Sequence, residues 1–110
     1  MSRMTETWHY LFVAVLALAA GSESLPERLA RAYDAGLQRL VTESQWPDNV
    51  QADVAELQAQ LRQIVPIGTP GINIQALKAA FADADPDLVR NIARRTVLLY
   101  RRLIEESAVT

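Results

Sequence analysis

The sequence predicts an all-α fold, an antiparallel helical bundle of four main helices plus one short helix. Three observations carry this. Apolar residues recur at three- and four-residue intervals, the period of a helix with one buried face. Prolines, glycines and capping residues divide the chain into helix-sized pieces. No stretch shows the strict alternation of a half-buried strand. The chain has 110 residues, half of them hydrophobic and 22% charged, which suits one domain, residues 1–110, with its own core.

The first helix is expected over residues 6–20, with Gly21 as its stop. Its run from Tyr10 to Ala20 carries no charge. Eleven residues are too few to cross a bilayer, which takes about 20, so no membrane span is expected. A secretory leader is the rival reading: Arg3 supplies a basic start, and "ALA" at residues 17–19 offers a cleavage site near Ala19. Against it stand Glu6 in the basic region and the loss of a packing partner for the other helices. The run also separates by size. Trp8, Leu11, Phe12, Val15, Leu16 and Leu18 form a large-residue side; Val13, Ala17 and Ala20 form a smaller one beside His9. A retained helix, touched on two sides in a cytoplasmic protein, is therefore the leading expectation. A helix apolar nearly all round should be buried, in its own core or in a dimer.

The second helix is expected to open with a capping box, Ser24 to Glu27, with Pro26 in its first turn, and to run to about Val41. Leu25, Leu29, Tyr33, Gly36, Leu37 and Leu40 share one face. Gly36 on that face implies a close helix–helix approach, because glycine otherwise costs about 1 kcal/mol there. Pro47 of "WPDNV" restarts the chain. Val50, Val54, Leu57, Leu61 and Ile64 make a narrow stripe, so the third helix should pack peripherally. "PIGTPG", residues 66–71, reads as a loop with a turn at Pro70-Gly71. A short helix follows over Ile74 to Ala82, with Ile74, Leu77 and Phe81 on one side. Asp85 caps the last helix, which Pro86 opens and which runs to about Glu106. Leu88, Val89, Ile92, Thr96, Leu99, Tyr100 and Leu103 cover its apolar arc, and five arginines lie opposite.

Composition narrows the function. With no cysteine and one histidine, His9, no thiolate site and no usual zinc set can form. "DADPD" lacks the glycine and the closing glutamate of a calcium loop, because Leu88 and Arg94 stand there. No phosphate-binding glycine pattern is present. The expectation is a non-enzymatic protein without cofactors, with Trp8 and Trp46 in the core or at its edge. Net charge is −2, unevenly spread. Residues 46–87 set six acids against Arg62 and Lys78; residues 88–110 set five arginines against Glu105 and Glu106. The last two helices could pass for a helix-turn-helix, but Asp83, Asp85 and Asp87 stand where that motif meets bases, so nucleic acid is disfavoured. Leu98 falls among Arg94, Arg101, Arg102 and Glu105. A leucine flanked by arginines, which are enriched at interfaces, marks Arg94, Leu98, Arg101 and Arg102 as the candidate interaction surface, for a protein partner or for self-association.

"LPERLARAYDAGLQRL", "WPDNVQADVAELQAQL" and "PGINIQALKAAFADADPDLVRNIARRTVLLYRRL" together resemble a family of small, uncharacterised bacterial all-helical proteins. The resemblance rests on Leu25, Glu27, Arg28, Leu29, Ala32-Tyr33, Trp46-Pro47, Gly71 and Leu99-Tyr100. It implies a bacterial source and a helical fold, and it carries over no site residues.

Overall fold

The computed structural model describes residues 3–39, 46, 48–65 and 73–109; for residues 3–8, 49 and 106–109 it describes the backbone only. It is all-helical over these residues. α1 spans Arg3–Ala20. α2 spans Leu25–Ala32 and widens into a π turn over Tyr33–Leu37. A 3-10 turn, Asp48–Val50, leads into α3, Gln51–Ile64. α4 is Ile74–Asp83, and α5 is Pro86–Val109. The expected end of the second helix at Val41, Leu40 on its apolar face, Pro47 and the Pro70-Gly71 turn lie outside the described residues.

α1 packs against α2, its π turn and α5; α2 packs against α4; α3 leans mainly on α5. The narrow stripe of α3 explains this: Val50, Val54, Leu57 and Leu61 are buried, Ile64 is partly buried against the core, and most of the rest of the helix is exposed. α3 and α5 run antiparallel, since Asp53 meets Arg102 while Glu56 meets Arg95. The core joins Leu11, Ala14 and Leu18 of α1, Leu29, Tyr33 and Leu37 of α2, Leu77 and Phe81 of α4, and Val89, Ile92, Leu99 and Leu103 of α5. Trp46 is buried with them; the side chain of Trp8 lies outside the described residues. Thr96 is fully buried, and its hydroxyl donates to the Ile92 carbonyl at 2.8 Å, so that hydroxyl is satisfied within its own helix.

Gly36 sits where α2 crosses α1. A Cβ there would overlap the Tyr10 carbonyl oxygen, reach 3.0 Å from the Tyr10 carbonyl carbon and touch Ala14 Cβ at 3.5 Å. The two backbones approach that closely only because the side chain is a hydrogen atom.

One local expectation comes out differently. Ser24 does not cap α2 through its side chain. Its hydroxyl donates to Glu27 Oε1 at 3.1 Å, and the first turn closes instead through the Arg28 amide on the Ser24 carbonyl, 2.9 Å. The nearby carboxylate accepts the hydroxyl's hydrogen bond, and the Ser24 oxygen caps no backbone amide. At Gly21 the helix does stop, but the residue does not enter the left-handed region; what it supplies is room, because a Cβ would lie 2.7 Å from Arg28 Cγ. Arg28 fills that space. Its guanidinium donates from Nη1 to the Leu18 carbonyl at 2.8 Å and from Nε to the Glu23 carbonyl at 3.0 Å. One cation thus satisfies an end-of-helix carbonyl of α1 and pins the turn before α2. Beside it Arg31 bonds Glu23 and holds that carboxyl below the usual carboxylate range. The last two helices are capped by side chains: Asn73 Oδ1 accepts from Ala76 at 2.8 Å, and Asp85 Oδ1 accepts from Asp87 at 2.9 Å.

Candidate interaction surface

α5 presents three faces. Its innermost stripe, Val89, Ile92, Thr96, Leu99 and Leu103, is buried. On one flank stands Leu98, 46% exposed. It forms the shared wall of two shallow hollows. The larger, about 360 Å³, lies between Leu98, Leu99, Arg101 and Arg102 of α5 and Asp53 of α3. The smaller, about 260 Å³, lies between Leu98, Asn91, Arg94 and Arg95. The structure therefore places Arg101 and Arg102 with Leu98 in one hollow and Arg94 with Leu98 in the other.

The arginines differ in how they are held. Arg102 reaches Asp53 at 2.5 Å and Arg95 reaches Glu56 at 2.6 Å, both across to α3. Arg101 Nε lies 3.5 Å from Glu105 one turn away, and Arg90 pairs with Asp87. Arg94 is exposed and makes no ion pair among the described residues. Exposed pairs of this kind add about 0–1 kcal/mol each, but the two that cross to α3 fix the guanidinium planes around the larger hollow. Their stems, with Leu98 and Leu99, give that hollow its apolar wall.

The other flank of α5 carries exposed side chains that the sequence reading assigns no role. Val97 is 45% and Ile104 38% exposed. Opposite them on α1, Phe12 is 40% and Leu16 52% exposed, although the sequence places both on the large-residue core side. The Phe12 and Tyr100 rings, 6.1 Å apart, join the two helices into one strip. α1 is thus touched on two sides, as its size segregation predicts, yet its large-residue side is only partly covered. The packed edge runs through Leu11, Ala14 and Leu18, because Ala14 is the small residue that meets Gly36. A signal for the open strip was present. Ala93, Val97, Tyr100 and Ile104 repeat at four, three and four residues, beside the core stripe of the same helix.

Among the described residues no group of three or more His, Asp or Glu side chains could hold a metal ion, and no helix is long and apolar enough to cross a membrane. Compared with known protein families, curated proteins and solved structures, the chain shows no match.

Proposed function

We propose that this chain is a non-enzymatic bacterial protein that works in the cytoplasm through protein–protein contacts, with the Leu98 surface as the contact made to a different protein. The observation that carries the reading is Leu98 itself: a half-exposed leucine between two hollows, rimmed by Arg94, Arg101 and Arg102. The partner this surface fits is an acidic segment with an apolar anchor. Its apolar side chain enters the hollow against Leu98 and Leu99, and its carboxylate takes Arg94, which makes no ion pair among the described residues.

Symmetry argues against a second copy at this place. Across a two-fold axis through Leu98, antiparallel helices set Arg94 opposite Arg102 of the copy, and parallel helices set each arginine opposite itself. Like charges face each other either way, which favours a partner of opposite sign. A nucleic-acid reading draws less support, since four of the five arginines of α5 already meet carboxylates and the first turn presents exposed Asp85 and Asp87. Retention of α1 is supported by its packing: cleavage near Ala19 would remove Leu11, Ala14 and Leu18 from the core.

A photo-crosslinking residue at position 98 of the full chain, expressed in its own host, tests the reading. The expected product joins position 98 to an acid-rich segment of another protein, and Arg94→Glu reduces the yield about tenfold or more. Products that join position 98 only to a second copy of this chain, or a yield indifferent to Arg94→Glu, would overturn it.

A further inference from the structure

We infer that the open strip of Phe12 and Leu16 on α1 with Val97 and Ile104 on α5 is a two-fold interface with a second copy of this chain. Three observations lead there. The strip is a second apolar seam. On α5 the stripe Ala93, Val97, Tyr100 and Ile104 has heptad-like spacing, and on α1 Phe12, Leu16 and Ala19 do the same. Tyr100 and Phe12 close part of it within the chain, while Val97, Ile104 and Leu16 stay about half exposed.

The strip is also free of charge. No residue of α1 from Thr7 to Ala20 is Asp, Glu, Lys or Arg, His9 being its one basic side chain, and no member of the α5 stripe is charged; Arg90 and Arg101 stand at the edge. An isologous contact brings each patch against itself, so an uncharged apolar patch is self-complementary where the arginine flank is self-repelling. This asymmetry between the two flanks of one helix separates the occupants: an acidic foreign segment on one, a copy of the chain on the other.

The size sets the scale of the contact. Four side chains open by two-fifths to one-half make a patch of roughly 300 Å², the scale of the largest apolar patch on a monomer and commonly a functional one. α1 has 18 residues, about 27 Å at 1.5 Å per residue, and two packed helices each about 10 Å across offer roughly 540 Å² in projection. That falls short of the ~800 Å² of accessible surface a standard dimer covers on each side, so the contact expected is a small one, an apolar centre with a rim drawn from His9, Ala20, Arg90 and Arg101. Adjacent residues of a helix point about 100° apart, so Leu98 stays outside an interface built on Val97. Each dimer would then present two Leu98 surfaces and bind a bivalent partner with raised effective concentration.

Light scattering on a sizing column, run on the full chain over a concentration series, decides it. The expected mass is twice the 12.2 kDa of one chain. Leu16→Glu and Val97→Arg, both at exposed positions, should each raise the dissociation constant by about 30-fold or more with helicity and melting retained. Leu98→Asp should leave the dimer intact, which keeps this result separate from the fate of the Leu98 reading. A mass of 12.2 kDa at every concentration, a dimer that survives both strip variants, or a dimer lost with Leu98→Asp overturns the inference.

Discussion

Gly36→Ala is expected to destabilise the protein, although the same exchange on an open helix face stabilises by about 1 kcal/mol. The added Cβ would overlap the Tyr10 carbonyl oxygen and press on its carbonyl carbon at 3.0 Å. That obstacle is backbone inside α1, not the free end of a side chain, so α1 as a whole must move away. Overpacking of this kind costs about 1–3 kcal/mol and sometimes more. We expect a net loss of about 2 kcal/mol and a fall of roughly 10 °C in melting temperature, read by thermal unfolding. The displacement would also shift the Phe12 ring relative to Tyr100, which a change in near-ultraviolet circular dichroism would report. A melt equal to or above that of the parent chain would show that the helices do not meet at Gly36.

Phe81→Ala is expected to cost still more. Phe81 has no exposed surface, and its ring lies 6.2 Å from that of Tyr33, which is buried enough that desolvation raises its pKa. The pair fastens α4, a helix of only 10 residues, to α2. So short a helix does not hold its shape without packing. Truncation of a buried phenylalanine costs about 3–5 kcal/mol, a large share of the 5–15 kcal/mol typical of a domain. Urea unfolding should show a loss of that size, with α4 losing hydrogen-exchange protection before the rest of the chain. A loss under about 1 kcal/mol would contradict the packing described.

Much of this fold was legible from particular residues. Pro86 with Asp85 located the start of α5, and Gly36 on an apolar face announced the close crossing. The narrow stripe of α3 foretold its place at the edge. The legible features are those that one residue type or one spacing imposes on the backbone. The capping box at Ser24 does not form, because sequence shows which groups are near and not which acceptor a hydroxyl donates to; Ser24 donates to Glu27. The cap that closes α1 was out of reach for a related reason. Arg28 meets the Leu18 carbonyl only because the chain turns back at Gly21, and a tertiary contact leaves no periodicity. Asn73 was a readable cap that the reading passed over.

The surfaces divide the same way. Leu98 among arginines stands out on a helical wheel, because the mismatch is local. Phe12, Leu16, Val97 and Ile104 do not, because an apolar residue on a largely apolar helix looks like core until the fold shows which neighbours it has. Only the duplicated seam on α5 distinguishes them. Both flanks of one helix thus become surfaces, set apart by charge.

The central claim is that the Leu98 surface exists to hold another protein. The composition and mass of the particle purified gently from its own host, wild type beside Leu98→Asp, test it most directly. The wild-type particle is expected to contain a second, acid-rich protein and to exceed the mass of its own 12.2 kDa chains, and Leu98→Asp to be recovered without that protein, folded and lighter. A wild-type particle made of this chain alone, with Leu98→Asp unchanged in mass, would contradict it.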